Sequence, residues 1–262
     1  MNLLAVLRES LVLVRKQPKV FIPKLVTTAF YSFYTIWAAS LTLRVYALSR
    51  VGAVEELSPL LQETMLLFVF IIFLYFMDLV SYSMYPRIVS DYLKKKPVSL
   101  TAALASAMSV WKVILSLGAL IFLFLLTVMA VAVFVQVMSL TLSTPLLIWL
   151  LAPFVILSIL IFSVLVFFVI PIAVVEKKSL ISSFVKSFSL GLKYKGDLLK
   201  VNLFFLAMAL VTLAIGILSE STGLVAFVSL AAFVGVRLIQ AVVYTYMSVV
   251  NPYFYMRVRK TH

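Results

Sequence analysis

Long apolar runs alternate with short polar stretches along the whole chain. Six runs, at about residues 21–43, 64–86, 113–138, 145–175, 198–218 and 224–250, are each longer than the roughly 18 residues a helix needs to cross ~30 Å of hydrocarbon. The pattern predicts an all-α, polytopic integral membrane protein with six transmembrane helices. The fourth run is over-long and contains Pro153 and Pro171, which predicts a tilt, a kink or an end lying in the interface.

The polar stretches are themselves patterned. Taken as a helix, the N-terminus places Leu3, Leu4, Leu7, Leu11 and Val14 on one face and Arg8, Lys16 and Lys19 on the other. Arg15 and Lys16 interrupt its short apolar run, so the segment is expected to be an interfacial amphipathic helix rather than a cleaved leader. In "ISSFVKSFSLGLKYKGDLL", Leu180, Ile181, Phe184 and Phe188 share one face, opposite Ser182, Lys186, Ser189 and Lys193.

Three of the six runs end in proline followed by polar or basic sequence: "YSMYPR" at Pro86, "FFVIPIAVVEKK" at Pro171 and "SVVNPYFYMR" at Pro252, separated by 85 and 81 residues. Each unit starts with a basic amphipathic segment. Residues 1–262 are therefore expected to form a single transmembrane domain of three pseudo-repeated hairpins, 1–92, 93–176 and 177–262, about an axis along the membrane normal.

Charge adds a direction. All of the 22 Lys and Arg residues except Arg44, Arg50 and Arg237 fall in the N-terminal segment, the second and fourth polar loops and the C-terminal tail. The loop with Arg44 and Arg50 also holds Glu55, Glu56 and Glu63, and "SLTLST" and "SESTG" hold no positive charge. By the positive-inside rule the protein is expected in the cell (plasma) membrane, multi-pass, with both termini cytoplasmic. The net charge of +13 is then gathered on one face, where it suits anionic lipid headgroups at about 1 kcal/mol per basic residue. No aromatic-basic recognition module accompanies it, so nucleic acid is not expected as a partner.

The composition agrees, with 65% hydrophobic residues against about 45–50% in soluble domains. Cysteine is absent and the single histidine is the terminal His262, which excludes thiolate chemistry, a histidine triad and a Cys/His zinc site. Acidic residues are too scattered for a two-metal cluster, and no phosphate-cradling glycine loop or G-x-S-x-G elbow occurs. The expectation is a non-enzymatic protein with no cofactor.

The stretch Phe167 to Leu199, about an eighth of the chain, carries Pro171, then Glu176, then the serine-rich helix from Ser183 to Ser187, then the next run. In this it resembles a prokaryotic family of small six-span membrane proteins related to the membrane domain of some glycerophosphoryl diester phosphodiesterases. The resemblance implies a six-span fold. The soluble phosphodiesterase domain of those relatives has no counterpart here, so the resemblance implies no hydrolysis.

Four strongly polar side chains lie inside the runs: Asp78, Gln136, Asn202 and Arg237. Tyr75, Asp78, Tyr82 and Tyr85 share a face of the second run, Arg237, Gln240, Tyr244, Ser248 and Asn251 a face of the sixth, and Thr27, Tyr31 and Tyr34 a face of the first. A charge facing lipid costs about 3 kcal/mol or more, so these stripes are expected to face the interior. Asp78 lies about 12 Å above Pro86 and Arg237 about 22 Å above Pro252 at 1.5 Å per residue. A direct pair needs tilt or a reaching arginine, and water or tyrosine hydroxyls offer an indirect link.

Two readings of the stripes follow. In one, Asp78, Arg237, Gln240, Tyr75, Tyr82 and Tyr244 line a cytoplasm-facing cavity that binds or translocates a small polar or anionic solute or a lipid. Asp78 is then the acid or proton acceptor, Arg237 the anion or counter-ion partner, and the others orienting hydrogen bonders. In the other, the stripes only pack helices in an accessory or assembly subunit, whose basic helices dock a protein partner. Ala231 and Gly235, four apart, are expected to form a helix-packing notch.

Overall fold

The computed structural model describes residues 3–51, 57–141, 146–221 and 226–260. Glu55, Glu56, residues 142–145 and 222–225, and His262, on which part of the charge reading rests, lie outside the described residues, as do the side chains of Arg50 and Glu220. Among the described residues the chain is helical, with no strand.

The long helices are α2 (Ile22–Val51), α3 (Leu57–Leu93), α5 (Trp111–Thr141), α6 (Leu146–Val166), α9 (Lys195–Ser221) and α10 (Ala226–Lys260); the short ones are α1 (Leu3–Lys16), α4 (Leu100–Met108), α7 (Val169–Glu176) and α8 (Leu180–Lys193). Four stretches, Pro59–Leu93, Trp111–Ser139, Pro153–Glu176 and Ala231–Arg259, are long and apolar enough to cross a membrane, which marks a membrane protein by length and composition. Helices α2 and α9, with 30 and 27 residues, have the length but carry more polar side chains, among them Lys24 and Arg44, and Asp197, Lys200 and Asn202.

The six long helices close into a ring. Helix α2 packs on α3, α3 on α5, α5 on α6, α6 on α9, α9 on α10, and α10 back on α2. The short amphipathic helices follow the same rotation: α4 packs on α3, α8 on α6 and α7, and α1 on α10. The main buried cluster sits at the basic end, where α3, α7 and α10 meet. Its largest fully buried side chains include Tyr85, Phe168, Phe254, Tyr255 and Ile88. A smaller cluster of Leu41, Leu60 and Leu67 joins α2 to α3 further along the bundle.

The over-long fourth run breaks at Phe167–Phe168, and the break follows from Pro171. A proline has no N–H for the carbonyl four residues earlier, which here is Phe167. Placed in the first turn of α7, Pro171 lacks only a donor that would have no intrahelical partner at a helix start. The freed Phe167 carbonyl accepts from Asn251 Nδ2 at 2.6 Å. Ser187 bridges the same break, its hydroxyl donating to Leu165 O at 2.7 Å and accepting from Phe168 N at 3.1 Å.

Helix α8 can reach that break because it buries small residues: Ser183, Ser187 and Gly191. A Cβ on Gly191 would stand 2.8 Å from the Val164 carbonyl oxygen. The expected division of faces on α8 holds only in part, since Leu180 and Phe184 pack inward but Ile181, Val185, Phe188 and Leu192 are exposed. On α1 likewise, Val6, Ser10, Leu13 and Val14 are buried while Leu4 and Leu11 are exposed.

Two further expectations are corrected. A Cβ on Gly235 would meet nothing within 4 Å, so no packing notch forms there among the described residues. Gln136 is exposed rather than interior. It lies 25 residues after Trp111, at the start of a 31-residue helix, or about 37 Å along the axis, past the ~30 Å that hydrocarbon spans.

Candidate functional site

Inside the ring lies a cavity of about 610 Å³, to which α2, α3, α5, α6, α7, α9 and α10 all contribute. Its volume falls in the range of about 300–1,000 Å³ typical of ligand pockets. Asp78, Tyr82, Arg237, Gln240 and Tyr244 line it together, from two helices far apart in sequence, α3 and α10. Tyr75 does not: its hydroxyl donates to the Gly118 carbonyl at 3.0 Å, tying α3 to α5. Tyr34 packs instead in the small cluster between α2 and α3.

The ion pair at the cavity differs from the expected one. Asp78 Oδ1 accepts from Lys24 Nζ at 2.7 Å, not from Arg237. The ammonium also lies 5.9 Å from the centre of the Tyr82 ring. The Lys24 side chain is 6% exposed and that of Asp78 37%, so the lysine is packed away while the carboxylate keeps a face toward the cavity. Arg237 is held one layer further from the basic end, donating to Thr35 Oγ1 at 2.6 Å and to Gln240 Oε1 at 3.1 Å, with its guanidinium 5.0 Å from the Phe233 ring centre. The register explains the change of partner, because Lys24 near the start of α2 reaches the level of Asp78 and Arg237 sits about a turn or two beyond it.

Two amides complete the lining. Asn251 uses Nδ2 on the α6–α7 break, and its Oδ1 has no hydrogen-bond partner among the described residues; neither has Asn202 Nδ2. Both side chains are more than nine-tenths buried, at 3% and 9% exposed, and both border the cavity. A buried polar atom without a partner costs about 1–3 kcal/mol, so such atoms are few in native proteins.

No protein-family model, curated protein or solved structure matches this chain. The site therefore has to be understood from its own chemistry.

Beside the cavity, at the basic end, Tyr85, Phe168 and Phe254 are fully buried, and Tyr85 donates its hydroxyl to the Val20 carbonyl at 3.1 Å. Phe168 packs there against Phe254 and Tyr255 of α10.

Sequence patterning alone missed Lys24. Its signal was present, because Lys24, Thr27, Tyr31 and Tyr34 form one stripe at i, i+3, i+7 and i+10. The charge pattern places Lys24 with the other N-terminal cations instead. Asp78 is the sole carboxylate among the described lining residues, and no cluster of three His, Cys, Asp or Glu forms among the described residues. The arrangement can bind charge and donate or accept hydrogen bonds, with Lys24, Asp78 and Arg237 as its charged groups.

Proposed function

We propose that this protein is a non-enzymatic six-span membrane protein that binds, and passes through the bilayer, a small polar or anionic solute or a lipid. The observation that carries the reading is the meeting of Lys24, Asp78, Arg237, Gln240 and two incompletely partnered asparagines on one ligand-sized cavity. A purely structural network would be expected to consume its own donors and acceptors, as most buried polar groups do.

The spans of this reading are α2, α3, α5, α6 with α7, α9 and α10, arranged as three hairpins in the plasma membrane with both termini cytoplasmic. The rotation of contacts supports the threefold repeat: each amphipathic helix packs on the returning helix of the hairpin before it, and α1 closes the circle on α10. Both α4 and α8 also start at a serine cap, Ser99 and Ser179, and bury small residues four and eight positions later. The resemblance of residues 167–199 to the six-span family related to phosphodiesterase membrane domains fits this architecture.

One feature favours the alternative of an accessory subunit: Ile181, Val185, Phe188 and Leu192 form an exposed apolar stripe on the basic helix α8, able to meet a protein as well as lipid.

Single-cysteine labelling separates the two, since the chain has no cysteine of its own. Tyr82→Cys, Gln240→Cys and Tyr244→Cys, reconstituted in vesicles, are expected to react with a membrane-impermeant maleimide added from one side of the bilayer. Lys95→Cys is expected to react only from the basic side. Reaction at Lys95→Cys with none at the three cavity positions from either side would favour the accessory subunit.

A further inference from the structure

Beyond Pro86 and Pro252 the ends of α3 and α10 enclose a small hollow at the basic end, about 240 Å³, lined by Ser90, Leu93, Lys94, Met256 and Arg259. It shares no lining residue with the larger cavity. Leu93 and Met256 give it an apolar surface, and Ser90, Lys94 and Arg259 bring a hydroxyl, an ammonium and a guanidinium. Helix α3 ends there in a turn closed by lysine backbone. The Lys95 amide donates to the Tyr92 carbonyl and the Lys96 amide to the Asp91 carbonyl, both at 2.9 Å, with Lys95 at φ 56°. Glycine is the usual residue at such a left-handed position, because a Cβ is crowded there. The turn parts three consecutive lysines: Lys94 lines the hollow, while Lys95 and Lys96 line a neighbouring one.

The cations of the hollow are within reach of a ligand and only lightly engaged by the protein. Lys94 is exposed, with no ion pair or side-chain hydrogen bond among the described residues. The Arg259 side chain is 52% exposed, and its ion pair, with Glu176, is long, at 3.9 Å from Nε. Glu176 is itself held by Lys186 at 2.6 Å and Lys178 at 3.2 Å, and accepts from Tyr255. Asp91, the acid nearest the end of α3, pairs with Arg87 at 3.0 Å. Lys94, Lys178, Lys186 and Arg259 are thus balanced by Glu176 alone, and the excess is positive.

We infer that the hollow between the ends of α3 and α10 binds a phosphate group, with the Arg259 guanidinium and the Lys94 ammonium on its oxygens, the Ser90 hydroxyl as a third donor, and Leu93 and Met256 against the carbon atoms of a phosphate ester. A guanidinium presents a fork of donors that matches phosphate oxygens, and an ammonium adds a compact charge. Membrane orientation and general attraction to anionic lipid need basic residues on one face with no fixed placement. Here donors of three kinds, from two helices far apart in sequence, line one small space. The Asp91 and Tyr92 carbonyls at the negative end of α3 are taken up by the closing amides, which lessens their repulsion of an anion. A soluble phosphate ester and a phospholipid headgroup carry the same group, and the test separates them.

The test uses the full chain in uncharged detergent with Leu93→Cys, a partly buried position in the hollow, and follows its rate of reaction with an uncharged maleimide at constant ionic strength. Met108→Cys, exposed on α4, is the reference. Inorganic phosphate is expected to slow Leu93→Cys to a plateau and to leave Met108→Cys unchanged. Glycerol 3-phosphate and a lysophosphatidic acid distinguish the sources. Protection by the lysophosphatidic acid at a concentration at least tenfold lower assigns a lipid headgroup, and protection at equal concentrations assigns a soluble ester. Lys94→Gln and Arg259→Gln, each combined with Leu93→Cys, are expected to raise the phosphate concentration for half protection about tenfold, the effect of losing one charge-assisted hydrogen bond. Lys16→Gln removes an equal charge at an exposed position on α1 and is expected to leave that concentration unchanged.

Equal slowing of Met108→Cys, or equal weakening by Lys16→Gln, would overturn the site and leave only the attraction of a basic face for anions. No slowing of Leu93→Cys by any of the three phosphates would overturn it outright, as would a Leu93→Cys that does not react without them. None of these results bears on the larger cavity, whose reading is tested at Tyr82→Cys, Gln240→Cys and Tyr244→Cys.

Discussion

Asp78 depends on Lys24, and the two are unevenly buried. The ammonium is almost wholly packed away while the carboxylate keeps contact with the cavity. Replacing only the lysine strands a carboxylate in the membrane interior; replacing both removes the problem. Breaking a fully buried pair costs about 3–5 kcal/mol, and the exposure of Asp78 lowers that to roughly 2 kcal/mol. Lys24→Met is therefore expected to lower the melting temperature in detergent clearly, and Lys24→Met with Asp78→Asn to recover most of the loss. A double variant no more stable than Lys24→Met would show that the pair is not what holds α2 to α3. Asn202 gives the opposite sign. Its amide nitrogen is buried without a partner, so Asn202→Leu is expected to hold or raise the melting temperature, whereas an asparagine acting as interhelical glue would lower it.

At the scale of single helices, the informative contrast is between the apolar faces of α1 and α8 and the faces they bury. Periodicity identifies both helices as amphipathic, and both are helices. It does not say which face packs. In water the apolar face turns inward, but beside a bilayer a lipid tail solvates leucine as well as another helix does, and close helix contacts go to small residues. Hence Ser10 on α1 and Ser183, Ser187 and Gly191 on α8 are buried, while Leu4, Leu11, Ile181 and Phe188 are exposed. Gly191→Ala is expected to force α8 away from the Val164 carbonyl, because the 2.8 Å approach leaves no room for a methyl group and backbone cannot swing aside. Ser187→Ala removes both bridges across the α6–α7 break and is expected to cost about 1–3 kcal/mol. Hydrogen exchange at Phe168 N would rise in both variants, and protection equal to wild type would show that the break is held by other contacts.

For the whole molecule, closure of the ring depends on contacts between the two ends of the chain. Glu9 on α1 accepts from Tyr253 at 2.7 Å and pairs with Arg257, both on α10. The Arg257 guanidinium, then the Tyr253 hydroxyl, hold the Glu9 carboxyl below the usual carboxylate range. A lowered folded value means that the stabilisation is present above the unfolded value of about 4.3 and is lost as pH falls through the folded one. The pair is more than a third exposed, so the effect is below about 1 kcal/mol. Reaction at Leu13→Cys, a fully buried position on α1, with a pyridyl disulfide, which stays reactive toward thiols in acid, is expected to speed up as pH falls below the usual carboxylate range. Glu9→Gln is expected to make that reaction independent of pH, and an unchanged acid response in Glu9→Gln would place the sensitivity elsewhere.

The sequence by itself determined the class of protein but not the ends of its helices. Run length against bilayer thickness requires helices and the charge pattern separates a basic face from the rest, yet α3 and α10 continue past Pro86 and Pro252 to Leu93 and Lys260. It also determined that Asp78, Tyr82, Arg237, Gln240 and Tyr244 lie on inward stripes, because lipid excludes charge. Only the tertiary structure decided which charges meet. Whether Asp78 finds Lys24 or Arg237 depends on the relative heights of three helices that no local pattern records. The same holds for Tyr75, which lies on the right face of α3 but is taken by the Gly118 carbonyl where α5 approaches. A stripe specifies a direction around one helix, and a cavity requires several helices to agree on where they leave space.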